Sequence, residues 1–146
     1  MFAHIGCTSA TLSFINNGDL LLQRVIAGGV DEIILNYISA TQRTKSDYLD
    51  ALNELTSAEG EPDAGTAKVL ATEDIRESLS RLVGNITRAV DYFNSNNWNT
   101  PVEKVVLLGP CAKMIGLKDA IANASSLKTA FMRSMPDFSI TDKDTN

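Results

Sequence analysis

The sequence predicts an α/β domain built on a mixed five-stranded sheet with flanking helices. Two observations lead to this prediction. The first segments alternate apolar and polar residues, as half-buried antiparallel strands do, whereas 102–108 holds the uninterrupted apolar run of a buried strand. Between them lie segments with apolar residues at helical spacing, which is the order of elements that an α/β domain requires.

Composition places the chain among ordinary globular domains. It has 146 residues, of which 44% are hydrophobic and 21% charged, with a formal net charge of -5. Lysine and arginine are scattered, so we expect no nucleic-acid partner. No apolar run approaches the ~20 residues that cross a bilayer, so we expect no transmembrane segment. Two cysteines are too few for a disulfide scaffold and favour a reducing, cytoplasmic setting.

The first part of the chain predicts an antiparallel meander of three strands. Segments 3–7 and 11–15 have strand character, and Leu12 and Phe14 share one face of the second. The Asn17-Gly18 pair is typical of a tight hairpin, after which 20–26 returns as the third strand.

Helices are predicted next. Apolar residues from Val30 to Ile38 recur at helical spacing, and a shorter helix is expected over 46–57 with Ser46 as its cap. A glycine- and proline-containing loop follows over 59–65. We therefore expect 45–70 to be a small inserted subdomain or loop.

A long helix begins at the cap Thr72. Its core-facing residues step by three or four, namely Ile75, Leu79, Leu82, Ile86, Val90 and Phe93. The asparagine-rich segment after it holds Trp98, which we expect to be a partly buried anchor.

The final elements complete the domain. The strand over 102–108 is expected to be buried on both faces, followed by a helix over 115–125 and a strand over 127–132. The domain is predicted to span 1–136, and 137–146 to form a polar tail.

Three sequence blocks resemble the PilM family of actin-like ATPases and its division-protein relative FtsA. The run from Ile5 to Gly18 resembles the second phosphate loop and its hairpin, and the run from Arg24 to Gly29 resembles the block before a helix. The run from Arg88 to Asn94, together with the run from Val105 to Leu117, resembles the adenosine-side block. The resemblance covers about 3–132 and implies the second lobe of the ribonuclease H-like actin fold, without the first lobe.

The resemblance also implies which residues would line a nucleotide cleft. Glycine lets backbone N–H groups approach a phosphate closely, and hydroxyl groups add donors. An ordinary strand turn, with the hydroxyls bonded to the backbone, is the alternative for the first loop. The candidate cofactor-binding residues are Gly6, Cys7, Thr8, Ser9, Thr11, Gly28, Gly29, Gly109, Pro110 and Cys111. No catalytic residue and no metal ligand is predicted.

Two departures from the family pattern predict degenerate nucleotide motifs. His4 stands where the family has an aspartate that organises the magnesium water shell, and imidazole is a poor magnesium ligand. Pro110 replaces a glycine and has no N–H. We expect no cofactor on this chain alone, and ATP with Mg²⁺ only beside a complementary lobe.

The two cysteines fall in loops that would face the same cleft. Cys7 and Cys111 could therefore lie near each other. Because disulfides are rare in the cytosol, two small, semi-buried thiols without chemistry is the favoured interpretation.

The functional expectation is a non-enzymatic scaffold of the type IV pilus machinery, cytoplasmic and peripheral to the inner membrane. Its implied partners are other pilus assembly proteins at that membrane. An apolar face left open by the missing lobe would also allow self-association. The alternatives are one lobe of an active ATP-binding ATPase whose other lobe is absent, and an α/β domain of unrelated function.

Overall fold

The computed structural model describes residues 1–57 and 62–132. The predicted tail 137–146 and part of the predicted loop 59–65 lie outside these residues. The elements follow in chain order, with one 3₁₀ turn (Lys45–Asp47) before α2: β1 (Phe2–Ile5), β2 (Ser9–Asn16), β3 (Asp19–Ala27), α1 (Asp31–Ala40), α2 (Tyr48–Ser57), α3 (Ala64–Leu70), α4 (Glu73–Asn96), β4 (Lys104–Leu108), α5 (Leu117–Ser125) and β5 (Lys128–Phe131).

The five strands form one mixed sheet in the order β3-β2-β1-β4-β5. The meander β1–β2–β3 is antiparallel, whereas β4 joins β1 in parallel and β5 joins β4 in parallel. Strand β3 lies at one edge of the sheet, and β4 pairs with β1, two strands away. The helical connection from β3 to β4 therefore carries the chain past β2 and β1. The predicted mixed five-stranded α/β class is confirmed.

The hairpin between β2 and β3 turns at Asn17 and Gly18. Both residues have positive φ, 52° and 85° respectively, which is the conformation that a two-residue hairpin turn requires. The pairing of Asn16 with Asp19 brackets the turn. The prediction from the Asn-Gly pair is therefore confirmed.

The core lies between one face of the sheet and the helices. Ala10, Leu12 and Phe14 alternate along β2 and are fully buried, and helix α4 packs its apolar stripe over them. The rings of Phe14 and Phe93 stack with centroids 4.3 Å apart. The predicted α4 stripe is buried, with Leu79 half-buried.

Strand β4 is buried on one face only, which corrects the prediction that both faces are covered. Val105 and Leu107 are 0% and 1% exposed, but Val106 and Leu108 are only half-buried. Among residues 1–57 and 62–132, the helices contribute to one hydrophobic cluster with a single sheet face. An apolar run therefore predicted the strand correctly but did not reveal how many layers cover it.

Ser46 does not cap α2, contrary to the prediction. Thr44 instead begins the 3₁₀ turn, where it and Asp47 form a capping box. The Thr44 amide donates to Asp47 Oδ2 at 3.1 Å. The cap therefore lies two residues before Ser46, and Ser46 lies inside the turn.

Helix α3 was not predicted, because the sequence around it contains glycine and proline. Asp63 caps it and accepts a hydrogen bond from the Thr66 amide at 2.6 Å. Thr72 occupies the predicted cap position of α4, although its hydroxyl donates backward to the Val69 carbonyl. An aspartate cap before small helix-forming residues was the available signal.

Trp98 is 80% exposed, so its prediction as a partly buried anchor is wrong. Asparagine side chains hold this segment instead. Asn94 Oδ1 accepts from the Val102 amide at 2.8 Å, and Asn97 Nδ2 donates to the Phe93 carbonyl at 2.9 Å. The indole is left free to face solvent. Within the described ranges, no helix has the length and apolarity to span a membrane.

Candidate functional site

Three predicted site loops meet at one edge of the sheet. Strands β1 and β4 are parallel, and β3 runs in the same direction because two antiparallel pairings separate it from β1. The loops that follow these strands, at 6–8, 28–30 and 109–116, therefore share the carboxyl edge. This edge is the usual ligand-binding position of open α/β sheets.

The loop between β1 and β2 is closed by its own backbone and rests on the loop after β3. The Gly6 amide donates to the Ser9 carbonyl at 3.0 Å, and the Gly28 amide donates to the Thr8 carbonyl at 3.0 Å. These bonds fix the loop shape without using a side chain. The structure thus brings together the predicted residues of the first two blocks.

The first amides of α1 are already hydrogen-bonded to that loop. Val30 donates to the Gly6 carbonyl at 3.3 Å, and Asp31 donates to the Cys7 carbonyl at 2.9 Å. A helix N-terminus with free amides is a ready anion site. Here two of those amides bind loop carbonyls, so the start of α1 offers less to a phosphate.

Gly29 and Gly109 are required by close packing at this edge. A Cβ at Gly29 would overlap the Gly6 carbonyl oxygen and lie 2.6 Å from that of Cys7. Gly109 has φ of 99°, and a Cβ there would lie 2.8 Å from the Ile5 carbonyl oxygen. Both glycines therefore serve the packing of the backbone itself, which explains them without a ligand.

The turn after β4 brings the two cysteines together. The Cys111 amide donates to the Ile5 carbonyl at 3.2 Å, and Cys7 Sγ lies 3.5 Å from Cys111 Sγ. Cys111 is buried and Cys7 half-buried. Burial, with further contributions from Cys7 and Asp31, raises the pKa of the Cys111 thiol to about 12.

Asp31 and Tyr48 also belong to this edge, and the sequence did not reveal them as site residues. The Tyr48 hydroxyl donates to Asp31 Oδ1. Burial raises the pKa of Tyr48 first, and the hydrogen bonds to Asp31 and Cys7 raise it further. In the sequence, Asp31 only complements the dipole of α1 and Tyr48 is only an apolar helix position. No local signal pairs them.

Thr11 does not join the loops, whereas His4 lies against the third one, since a Cβ on Gly109 would be 3.2 Å from His4 Cδ2. Thr11 and His4 are Cα partners within the β1–β2 ladder, and His4 is exposed. Thr11 lies inside β2, past the loop that ends at Thr8. The strand predicted over 11–15 contains Thr11, and the structure agrees with that strand position. Among residues 1–57 and 62–132, no group of three or more acidic, histidine or cysteine side chains is placed to hold a metal ion.

The sheet order and the glycine loops at its carboxyl edge define one lobe of the actin-like ATPase fold. The solved structures that are similar to this chain include the following two. One is a chain of a "PilM-PilN type IV pilus biogenesis complex", with 17% identity, a TM-score of 0.69 and 90% of this chain covered. The other is ethanolamine utilization protein EutJ from Carboxydothermus hydrogenoformans, with 10% identity, a TM-score of 0.62 and 89% covered.

The present chain spans only part of these structures, 34% of the first and 42% of the second. At these identities the likeness establishes the fold. No protein-family model matches the sequence, and no curated protein matches it.

Proposed function

We propose that this chain is a scaffold module of a type IV pilus assembly machine, with a nucleotide cleft that binds ATP weakly. Support for the pilus role comes from the fold shared with a chain of the PilM–PilN complex. Because a fold alone does not specify function, the state of the cleft carries the rest of the proposal.

One observation supports weak nucleotide binding above the others. The amides of Val30 and Asp31, at the start of α1, donate to the carbonyls of Gly6 and Cys7 in the loop that would hold phosphate. Because these two amides are bonded to loop carbonyls, they are no longer free for an anion. The start of α1 therefore has fewer amide donors left for a phosphate.

The charge of Asp31 and the missing N–H of Pro110, both at the carboxyl edge, also weaken nucleotide binding. The Asp31 carboxylate lies beside the loop, close enough to bond Tyr48, and would repel a phosphate. Pro110 has no N–H to offer where the family has glycine. We therefore propose no catalytic residue in this chain.

In this proposal the chain acts through protein contacts, in the cytoplasm at the inner membrane. Its partners would be other pilus assembly proteins, PilN among them. Self-association through the half-exposed sheet face that includes Val106 and Leu108 is a further possibility of the same proposal.

An active ATPase lobe is the second candidate. The observation that favours it is that the loops after β1, β3 and β4 meet at the carboxyl edge, where open α/β sheets bind ligands. Phosphoryl transfer needs metal and in-line positioning, which a complementary lobe would have to supply. In that case ATP would bind only to the two lobes together.

Calorimetric titration with ATP and Mg²⁺ separates the two candidates. The chain alone and the chain combined with a complementary actin-fold lobe should be titrated in parallel. We expect no saturable heat from either sample. Saturable binding that appears only with both lobes would support the ATPase candidate and contradict weak binding.

Charge variants test why binding is weak. Asp31→Asn should raise ATP affinity if the carboxylate repels phosphate. Asp19→Asn is the matched control, because Asp19 lies in the hairpin at the opposite edge of the sheet. Equal affinity in both variants would remove Asp31 from the explanation.

The scaffold role needs its own measurement. Purified PilN-type and other inner-membrane pilus proteins from the same genome should be immobilised and tested for binding without nucleotide. Binding that ATP does not alter supports the scaffold. Absence of binding to every such partner would overturn the pilus proposal while leaving the fold unaffected.

A further inference from the structure

We propose that Cys7 and Cys111 form a redox modification site. A disulfide oxidant converts their two thiols to a reversible intramolecular disulfide. The inference concerns the chemistry of the cleft edge and does not depend on nucleotide or pilus partners. It departs from the interpretation that these thiols have no chemistry, because the structure places their sulfur atoms 3.5 Å apart.

The two sulfur atoms are already in contact, although their residues are 104 positions apart in the sequence. A disulfide bond is about 2.05 Å long, so the sulfurs at 3.5 Å must approach by about 1.5 Å. Rotation of the half-buried Cys7 side chain can supply part of this movement.

The backbone on both sides holds the thiols in register. The Cys111 amide is bonded to the Ile5 carbonyl, and the Cys7 carbonyl is bonded to the Asp31 amide. Both anchors connect neighbouring strands or a helix start, so the loops do not separate the sulfurs without breaking them. The fold therefore keeps the two sulfur atoms close to each other.

Exposure sets the order of events. Cys7 is half-buried and Cys111 is buried, so an oxidant reaches Cys7 first. With oxidised glutathione, the Cys7 thiolate attacks one glutathione sulfur and the first glutathione leaves as its thiol. Cys111 then attacks the Cys7 sulfur, gives its proton to the departing glutathione thiolate, and releases the second glutathione. Two protein thiols lose two electrons and two protons, and one glutathione disulfide becomes two thiols.

The product would join the loop after β1 to the turn after β4. A cross-link between distant positions restricts the unfolded chain most, and by loop length it should raise Tm by about 10 °C. It would also fix the edge where the candidate cleft lies. The disulfide would therefore change the stability of the fold as well as the state of the two thiols.

The experiment treats the intact chain with oxidised glutathione and measures its mass and free thiols. The sequence has two cysteines in total, so an intramolecular disulfide identifies its own partners. We expect the monomer mass to fall by two hydrogen atoms, both thiols to become unreactive, and dithiothreitol to reverse both changes. The Tm rise should accompany them.

Single variants define the pathway. Cys111→Ser should stop at a stable glutathione adduct on Cys7, because no second thiol can resolve it. Cys7→Ser should leave Cys111 free and unmodified, because it is buried. If a serine at 111 unfolds the protein, the mass of the oxidised unmutated chain still decides the question. A lasting glutathione adduct or a covalent dimer of the unmutated chain would overturn the proposal.

Discussion

Gly29 and Gly84 show how two glycines contribute differently to one fold. At Gly29 the missing Cβ leaves room for the carbonyls of Gly6 and Cys7. At Gly84, inside α4, a Cβ would meet only Arg88 Nη1, at an ordinary 3.9 Å. The first glycine is therefore demanded by packing, whereas the second only weakens its helix.

Alanine at these two positions should change stability in opposite directions. Gly29→Ala should lower the free energy of unfolding by about 3 kcal/mol or more, because backbone must move to admit the methyl group. Gly84→Ala is the control and should raise it by about 0.5–1 kcal/mol. Urea denaturation followed by circular dichroism measures both. Near-equal effects would contradict the close approach at Gly29.

The raised pKa of the Cys111 thiol predicts that the protein loses stability at alkaline pH. Burial raises the pKa of its thiol from an ordinary value of 9.0 to about 12, so the folded chain keeps a proton that the unfolded chain releases. The stabilisation is complete below about pH 9 and is lost as pH rises from there toward 12. The raised pKa values of Tyr37 and Tyr48 add losses above about pH 10.

The variant Cys111→Ala isolates the thiol. Urea midpoints measured from about pH 8 to about pH 10 should fall less steeply in the variant than in the unmutated chain. The sample needs a reductant, so that disulfide formation does not contribute. Parallel slopes for the two proteins would show that the thiol does not titrate differently on unfolding.

Helix α4 is held to the sheet by aromatic contact on one side and is free on the other. Phe93 is 3% exposed and stacks on Phe14 of β2, while its neighbour Tyr92 is 58% exposed. Adjacent residues on a helix point in different directions, so the chain itself offers a matched pair. The pair tests whether α4 gains its stability from this face.

Truncation of Phe93 should be far more costly than truncation of Tyr92. Phe93→Ala should lower the free energy of unfolding by about 3–5 kcal/mol, because it leaves a cavity against Phe14. Tyr92→Ala should cost less than about 1 kcal/mol, although it removes the contact with the Arg24 guanidinium. Chemical denaturation at fixed pH compares them. If Phe93→Ala lowered the free energy of unfolding less than Tyr92→Ala does, the Phe14–Phe93 contact would not belong to the stabilising core.

Within residues 1–57 and 62–132, strands β1 to β4 and helices α1, α2, α4 and α5 contribute buried residues to one hydrophobic cluster. Ala51 and Leu55 of α2 are fully buried in it, beside residues of α1 and the sheet. Segment 45–70, predicted from sequence as an inserted subdomain or loop, therefore shares at least part of the main core. We expect it to unfold together with the rest.

A single cooperative transition is the measurable consequence. Circular dichroism reports the helices, and in a Cys7→Ser background the reaction of Cys111 with a thiol reagent reports exposure of the core beside β4. The two urea midpoints should coincide. An earlier loss of helical signal, with Cys111 still protected, would mean that part of the helical region unfolds separately.

Local patterns account for most of what the sequence predicted correctly. The alternation in β2, the Asn17-Gly18 turn and the stripe of α4 each depend on residues within a few positions of one another. Backbone geometry converts such spacing directly into strand, turn or helix. The fold class followed from the order of these elements, and the glycine loops were located by resemblance to a family.

The prediction failed where the outcome depended on what lies opposite a residue. The exposed face of β4 and the exposed Trp98 depend on layers and loops that no short pattern encodes. Helix α3 was missed because glycine and proline nearby outweighed its aspartate cap.

The sequence by itself thus determined most of the elements, their order and the α/β class, because these depend on local spacing. The tertiary structure decided which side chains touch one another in the candidate site. The Asp31–Tyr48 bond joins residues 17 positions apart, and the Cys7–Cys111 contact joins residues 104 apart. Such pairs are set by the common direction of β1, β3 and β4 and by the packing of α1 on the first loop, and composition or periodicity does not encode them.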